Sequence, residues 1–251
     1  MKIVSLNIWH GRIASAFERF LEKERISTDI FCFQEVASVP DPSIYLELKY
    51  QIVSFQMMQN LLPDFRGVFV PFVGGEAGGD KVGFGSAMFV KKSVSVASLG
   101  EIMICEATTE DNLPRHMQFA RLECSGQPYT VCHAHGVSLP SNKLDTPARL
   151  EQSRRMVEFI KGEKGEVILS GDLNLLPETK SIALFEEAGL RNLIKEYHIE
   201  RTRGKISEES FDDRFQPFAD YCFVTPGVKI TSFTVPLLSA SDHLPLILEV
   251  A

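Results

Sequence analysis

One of the most apolar segments of the chain runs from Asp29 to Val36 and reads Asp-Ile-Phe-Cys-Phe-Gln-Glu-Val. A near-continuous apolar run that ends in polar residues is typical of a strand buried on both faces. The predicted strands are Lys2–Ile8, Asp29–Val36, Gly85–Lys91, Ser93–Ile104, Met117–Cys124, Tyr129–His135, Val167–Ser170, Asp220–Thr225, Lys229–Val235 and Leu244–Val250. The predicted helices are Ala14–Arg25, a segment within 50–62 that Pro63 stops, a helix that begins at Thr146 and Pro147, and Ser181–Ala188.

The distribution of these elements predicts the domain organisation. About ten strands and a few helices, spread over the chain without an internal repeat or a linker-like change in composition, predict one α/β domain over residues 1–251 with two sheets. The glycine-rich segment Gly74–Asp80 reads as a mobile loop. The segment 200–216 is charged and weakly patterned, so it predicts no particular element.

Composition and charge exclude several classes of protein. The chain has 251 residues, of which 44% are hydrophobic and 24% are charged, and this balance excludes disordered and collagen-like proteins. No window holds the roughly 20 apolar residues that a membrane-spanning helix needs, and Met1–Asn7 reaches a polar residue too early for a signal peptide. The net charge of −7 gives no general attraction to nucleic acid or to an anionic membrane. A polyanionic substrate therefore requires a local basic patch or a bound cation.

The number and spacing of the cysteines indicate the cellular compartment. There are five of them, an odd number, and none has a Cys-x-x-Cys spacing. Cys32, Cys132 and Cys222 lie in apolar runs, which favours buried free thiols in a reducing compartment. We therefore expect a cytoplasmic protein.

Polar residues whose side chains can bind a metal ion or transfer a proton follow four of the apolar strands. They are Asn7, Glu35, His135, and Asp172 with Asn174. Two further polar positions flank later strands: Asp220 opens one, and Asp242–His243 precede another. Because strand ends in layered α/β folds bring distant residues to one crevice, these groups are candidates for a shared site.

Each of these residues also has a structural explanation when it is taken alone. Gly171–Asn174 is a plausible turn, Glu35 a plausible solvated carboxylate, and only the combination favours a functional site. His133 lies two residues before His135 and faces the same side of the strand, so periodicity does not rank the two. The other histidines, His10, His116 and His198, are interpreted as surface or packing residues.

Five short motifs occur in the order seen in the endonuclease/exonuclease/phosphatase superfamily. They are Leu6-Asn7-Ile8-Trp9, Phe33-Gln34-Glu35-Val36, Gly171-Asp172-Leu173-Asn174, Asp220-Tyr221-Cys222-Phe223 and Ser241-Asp242-His243. The chain thus resembles that superfamily, which includes deoxyribonuclease I, abasic-site endonucleases, neutral sphingomyelinases and inositol-polyphosphate phosphatases. The resemblance implies a deoxyribonuclease I-like α/β fold, a four-layer α/β sandwich of two mixed β-sheets packed face to face with helices on the outside.

The same resemblance implies roles for the candidate residues. Asp172 would orient or deprotonate the attacking water, and Asn174 would donate a hydrogen bond nearby. His243 would contact the scissile phosphate and be held in one tautomer by Asp220, and His135 would donate to a phosphate oxygen or protonate the leaving group.

The metal ligands follow from the chemistry of the side chains. Asn7, Glu35 and Asp242 carry hard oxygen ligands, which suit Mg²⁺, or Mn²⁺, better than zinc. A bound divalent ion would also let a chain of negative net charge accept an anionic substrate. We therefore expect a metal-dependent hydrolase that cleaves a phosphate ester by in-line attack of water.

The substrate of this reaction stays open at the level of sequence. A phosphodiesterase or nuclease acting on DNA or RNA is the first hypothesis, with Lys81, Lys91, Lys92, Arg115, Lys143 and Arg149 as a possible basic rim. Trp9 stands where abasic-site endonucleases carry an acidic residue, which disfavours that subgroup. The alternatives are a phosphomonoesterase or a sphingomyelinase- or inositol-phosphatase-like hydrolase, and an inactive binding module. No protein partner and no membrane insertion are predicted.

Overall fold

The computed structural model describes residues 1–38, 52–77, 80–107, 113–211 and 215–251, with the backbone alone for 75–77, 80–82 and 210–211. The strands are β1 Lys2–Asn7, β2 Ile30–Ser38, β3 Phe65–Ala77, β4 Asp80–Lys91, β5 Val96–Cys105, β6 Arg115–Cys124, β7 Gln127–His135, β8 Glu166–Asp172, β9 Arg191–Asn192, β10 Asp220–Val224, β11 Ile230–Thr234 and β12 Leu246–Val250. The helices are α1 Ala14–Glu24, α2 Phe55–Leu61, α3 Pro147–Gly162, α4 Lys180–Glu187, α5 Leu193–Glu196 and α6 Lys205–Phe211, with a 3₁₀ turn at Trp9–Gly11.

The strands form two mixed sheets of six. The first sheet has the order β11-β12-β1-β2-β4-β3, and the second has the order β5-β6-β7-β8-β10-β9. Each sheet has a parallel pair near its centre, β1 with β2 and β7 with β8, while the other neighbours are antiparallel. With helices packed outside these sheets, the predicted four-layer sandwich is confirmed.

Side-chain alternation along β1 shows which residues face the other sheet and which face the helix layer. Ile3 joins the large buried cluster shared with the second sheet, whereas Val4 and Leu6 join a second cluster with Phe17 of α1. Because successive strand residues point to opposite faces, Asn7 lies on the inter-sheet face with Ile3. The end of β1 therefore carries a polar group into the gap between the sheets.

A β-bulge in β2 changes this alternation at Glu35. Phe31 and Phe33 face the outer cluster, so a regular strand would send residue 35 to the same face. The register between β2 and β4 shifts between Phe33 and Val36, and Glu35 takes a left-handed backbone with φ 54°. The bulge thus turns Glu35 toward Asn7, and Val36 returns to the outer cluster.

Most predicted elements are present, and the differences have local causes. The prediction of a loop at Gly74–Asp80 is wrong at its ends, because Gly74–Ala77 pair with Asp80–Gly83 at the ends of β3 and β4. Cross-strand backbone hydrogen bonds there outweigh the loop preference of the glycines. The strand β3 and the short elements β9, α5 and α6 were not predicted. The Thr146 cap is confirmed, since its hydroxyl accepts from the backbone N–H of Arg149.

The cysteines agree with the expectation from the sequence. All five cysteines are free, and Cys32, Cys132 and Cys222 are buried as predicted. No helix in the described part of the chain is long and apolar enough to cross a membrane.

A fully buried arginine organises the loop that follows β7. Arg149 of α3 donates from Nε to the carbonyl of Val137, from Nη1 to that of Leu144 (2.7 Å), and from Nη2 to those of Ser138 and Pro140 (3.2 and 2.6 Å). Since a buried carbonyl without a partner is costly, one guanidinium holds the conformation of the whole 137–144 loop.

Replacing this guanidinium should destabilise the protein. In Arg149→Met several loop carbonyls lose their donors, and we expect a loss of about 3 kcal/mol, which lowers the melting temperature by about 6–12 °C in a chain of this size. Arg154→Met, at an exposed position on the same helix, is the control and should change stability by less than about 0.5 kcal/mol. Equal melting temperatures for the two variants would show that Arg149 does not organise the loop.

Candidate functional site

Polar residues from both sheets meet at one end of the sandwich. In the first sheet, Asn7 is the last residue of β1 and Glu35 lies at the bulge of β2. In the second sheet, His135 and Asp172 are the last residues of the parallel strands β7 and β8. The sheet register pairs Asp172 with His135 on one side and with Asp220 on the other. The eight predicted site residues that this end gathers are Asn7, Glu35, His135, Asp172, Asn174, Asp220, Asp242 and His243.

The side chain of Asn7 connects the two sheets. Its Nδ2 donates to Oε1 of Glu35 at 3.0 Å and to Oδ2 of Asp172 at 2.9 Å. Its Oδ1 accepts the backbone N–H of Trp9 at 3.0 Å. In this arrangement the amide nitrogen faces the carboxylates, so Asn7 acts as a donor that fixes them.

The carboxylate of Asp172 is the most connected group of the site. Its Oδ1 accepts the backbone N–H of Asn174, and its Oδ2 lies 3.7 Å from Nε2 of His135 and 3.6 Å from Nε2 of His243. Burial alone raises the pKa of this carboxyl, but the charge of His243, the protonated form that His135 takes at low pH, the charge of Lys143 and the Asn7 amide outweigh it and hold that pKa well below its usual range. Asp172 is therefore an ionised, hydrogen-bonded carboxylate.

The adjoining residues allow the strands to approach each other here. Gly171 has a left-handed φ of 137°, and a Cβ atom at this position would lie 2.2 Å from the carbonyl oxygen of Ala134 in β7. Only glycine fits so close to the neighbouring strand. Asn174 also has a left-handed φ, 52°, and its Nδ2 donates to the carbonyl of Gly136 at 3.4 Å.

His243 and Asp220 form a buried pair. Nδ1 of His243 lies 2.8 and 3.0 Å from the two oxygens of Asp220, so Nε2 points toward Asp172. Burial alone lowers the pKa of His243, but the Asp220 carboxylate outweighs it and raises that pKa. Thr202 supports this geometry, because its hydroxyl accepts the backbone N–H groups of Ala219 and Asp220 at 3.1 Å each.

The structure separates the two neighbouring histidines of β7. His133 is fully buried between Gln34, which lies 3.1 Å from Nδ1, and Gln118, whose Oε1 lies 2.7 Å from Nε2. Burial lowers the pKa of His133 to about 3, so it is a neutral structural residue. His135 is the one that reaches Glu35 and Asp172.

His135 is also electrically neutral near pH 7. Burial, together with the charge of Arg115, lowers its pKa to about 4 against the attraction of Asp172 and Glu35. Its Nδ1 is buried without a hydrogen-bond partner among the described residues, and its ring packs edge-on against Phe72. An imidazole in this state offers a lone pair or an N–H to a ligand in the site.

Two groups of side chains have the geometry of a metal site in the described part of the chain. One consists of Glu35, His135 and Asp172, and the other of Asp172, Asp220 and His243, each with its ligand atoms within 4.8 Å of one another. The first group fits a divalent cation better, because in the second group Asp220 and His243 are already hydrogen-bonded to each other. Interactions with His135, His10 and His243 and the hydrogen bond from Asn7 also lower the pKa of Glu35 despite its burial, which favours an ionised ligand.

Asp242, unlike Glu35, is paired with an arginine. Its Oδ2 accepts Nη2 of Arg203 at 2.7 Å, and its Oδ1 lies 3.9 Å from Nε2 of His243. Ser241 anchors this loop by donating to the carbonyl of Asn7 at 2.6 Å. Among the described residues, Asp242 belongs to neither group with metal-site geometry.

Two further residues of the site, His10 and Arg203, were not identified from the sequence, and a third, Lys143, was named there only as one of the rim cations. His10 was interpreted as a surface or packing residue, but its Nε2 lies 3.4 Å from Oε2 of Glu35. Arg203 pairs with Asp242, and Lys143 is buried in the field of Asp172 and Asp220. The loops that carry these residues have no periodic hydrophobic pattern from which their position could be predicted. Basic residues in such weakly patterned segments could still have been taken as candidates for an anion site.

Five of the six cations proposed as a rim have described side chains, and these five do not form one exposed patch. Lys91 and Lys92 bond to carbonyls of Ile26 and Pro63, at the end of β4 far from Glu35. Arg149 is the buried loop organiser, and Arg115 is buried with its guanidinium over the ring of Phe72. The side chain of Lys81 lies outside the described residues, and Lys143 interacts with Asp172, Asp220 and Asp242 through its charge, at more than ion-pair distance.

Solved structures with the same fold have low sequence identity to this chain. An endonuclease/exonuclease/phosphatase from Bacteroides vulgatus is 17% identical, with a TM-score of 0.72 over 100% of this chain and 98% of that one. A mannosyl-6-phosphatase from Bacteroides thetaiotaomicron is 19% identical, with a TM-score of 0.68 over 100% and 99%. The human Nocturnin catalytic domain with bound sulfate is 18% identical, with a TM-score of 0.68 over 100% and 93%.

The family assignment rests on the sequence as well as on the fold. The comparison with curated proteins returned no match. The model of the endonuclease/exonuclease/phosphatase family, in contrast, matches residues 4–243, a span that includes every residue gathered at the site. The chain therefore belongs to the endonuclease/exonuclease/phosphatase family.

Proposed function

We propose that the protein is a divalent-metal-dependent hydrolase that cleaves a phosphate ester by in-line attack of water. The observation that carries this proposal is the position of the Asp172 carboxylate. It lies between Glu35 and His135 on one side and the His243–Asp220 pair on the other. Family membership supports the same reaction class.

The metal would be held at the Glu35 side of the site. Glu35 and Asp172 supply the carboxylate oxygens that Mg²⁺ and Mn²⁺ prefer, and His135 offers a nitrogen that Mn²⁺ accepts more readily than Mg²⁺. When bound, such an ion neutralises phosphate oxygens and the developing negative charge of the leaving group. Of the ligands predicted from the sequence, Glu35 has the strongest geometric support, because Asn7 and Asp242 are engaged with Trp9 and Arg203.

Asp172 would orient the attacking water. Its strongly lowered pKa makes it a weak proton acceptor at equilibrium, so its contribution is to accept a hydrogen bond from water and align it. The backbone N–H of Asn174 and the amide of Asn7 hold the carboxylate in one orientation. The Asn174 side chain stands beside it as a further donor.

His243 would bind a non-bridging oxygen of the phosphate. Asp220 accepts from Nδ1 and favours the protonated imidazole, which leaves Nε2–H free to donate toward the substrate. A fixed cationic donor stabilises negative charge that builds up in the transition state. Neutral His135 would donate to a second oxygen or contact the metal.

The class of ester is a separate part of the proposal. A nuclease acting on DNA or RNA remains a hypothesis, but it gains little support from the rim cations. Arg115, Lys143 and Arg149 are buried, and Lys91 and Lys92 lie at the far end of β4. A compact phosphate ester needs only the charges inside the site. Cytoplasmic location likewise remains a prediction that rests on the free thiols.

A substrate panel in the presence of Mg²⁺ or Mn²⁺ tests the reaction class. We expect hydrolysis of at least one of three substrates, namely supercoiled plasmid, a nitrophenyl diester or a nitrophenyl monoester, and loss of that activity with a chelator. Asp172→Asn removes the ionised oxygen that aligns water, so the rate should fall by about 10²–10⁴-fold. Glu151→Gln, at a half-exposed position on α3, is the control.

Two outcomes of that panel would contradict the proposal. Full metal-dependent turnover by Asp172→Asn would show that another group aligns the water. No hydrolysis of any substrate, together with no heat of Mn²⁺ binding, would favour an inactive binding module instead.

Replacing the partner of His243 tests the second half of the site. In metal-free Asp220→Asn the imidazolium loses its carboxylate, so the pKa of His243 should fall, as measured by an NMR titration of the ring protons. We also expect kcat to fall by about 10²–10⁴-fold, because the imidazole loses its orientation and its charge. An unchanged pKa for His243 would contradict the assigned pairing.

A further inference from the structure

Lys143 has an unusual environment for a lysine. Its residue is only 5% exposed, and Nζ makes one hydrogen bond among the described residues, to the carbonyl of Phe218 at 3.3 Å. An ammonium group has three donors, and buried charges normally find several partners. No carboxylate in the described ranges lies within ion-pair distance of this Nζ. Two of its donors are therefore available to a ligand.

The backbone holds Lys143 in place before any ligand binds. Its φ is 56°, a left-handed conformation that costs a non-glycine residue energy. The loop is fixed on both sides, because Leu176 donates its N–H to the Lys143 carbonyl at 3.0 Å and Gln216 donates to the Asn142 carbonyl at 2.8 Å. Together with the bonds of Arg149, these contacts fix the backbone from which the lysine side chain extends.

The charges around Lys143 distinguish it from the other cations of the site. Arg203 is paired with Asp242, and the Nδ1 side of His243 is paired with Asp220. Lys143 interacts at longer range with Asp172, Asp220 and Asp242 and is repelled by Arg203, and its burial lowers its pKa to about 8. It is still mainly protonated near pH 7, so it brings a charge that no single carboxylate neutralises.

We infer that Lys143 binds a third non-bridging oxygen of the substrate phosphate and thereby selects a phosphate monoester over a diester. The inference rests on the proposed hydrolysis at the same site. A monoester presents three non-bridging oxygens and carries two negative charges, whereas a diester has two such oxygens and one charge. The metal side, where Glu35 and His135 lie together, accounts for one oxygen and Nε2 of His243 for a second, and the ammonium of Lys143 provides a third anchor.

The test compares two matched substrates and one binding probe. Wild type, Lys143→Met and Lys143→Arg are assayed on p-nitrophenyl phosphate and on bis(p-nitrophenyl) phosphate, and calorimetry measures the binding of inorganic phosphate. Lys92→Met, an exposed lysine bonded to the Pro63 carbonyl, is the control. Methionine keeps the apolar stem of the buried side chain, and melting temperatures verify that each variant is folded.

We expect wild type to prefer the monoester. In Lys143→Met, kcat/KM for the monoester should fall by about 10- to 100-fold, the usual worth of a charge-assisted hydrogen bond, mainly through KM, while the value for the diester changes less than about threefold. Phosphate binding should weaken by a similar factor, Lys143→Arg should recover part of it, and Lys92→Met should match wild type.

The outcomes separate this inference from the proposed reaction. Equal losses on both esters, or unchanged monoester kinetics in Lys143→Met, would overturn the selection by Lys143 and leave the hydrolase intact. If wild type hydrolyses neither ester, the calorimetry decides: weaker phosphate binding in Lys143→Met supports the anion site without the hydrolysis, and equal binding overturns it.

Discussion

The carboxylate of Asp172 is the point on which the rest of the site depends. An ionised carboxylate that is almost fully buried is stable only when charges and donors compensate for the lost water. Asn7 supplies a donor from the opposite sheet, Asn174 supplies a backbone N–H, and His135 and His243 approach from two sides. The packing of the two sheets therefore brings together the groups that the proposed reaction needs, since the same contacts stabilise the buried charge.

The strand ends of this arrangement were predictable from the sequence. A buried strand reads as an apolar run, and the polar residue at its end is conspicuous, which is how Asn7, Glu35, His135 and Asp172 were found. Asp220 was found as the residue that opens a later strand. The five motifs added the order of the segments, and the fold class and the family are confirmed. Period-two alternation also placed His133 and His135 on one face, although it did not show which of them reaches the carboxylates.

Other features depend on contacts that no local pattern encodes. The bulge at Glu35 exists because β2 pairs out of register with β4, and its effect on side-chain direction needs the partner strand. Arg203 and Lys143 lie in irregular segments whose positions are set by Thr202, Ser241 and Arg149. His10 reaches Glu35 from a 3₁₀ turn with a left-handed φ of 57°, which the sequence around it does not predict. Tertiary hydrogen bonds thus determine these positions.

The position of the metal tests this account most directly. Crystals of the full chain soaked in Mn²⁺ give an anomalous difference peak that locates the ion without any assay of activity. The account predicts one strong peak about 2.0–2.3 Å from oxygens of Glu35 and Asp172, with His135 beside it. A peak bound by Asp242 and remote from Glu35, or no peak at saturating Mn²⁺, would contradict it.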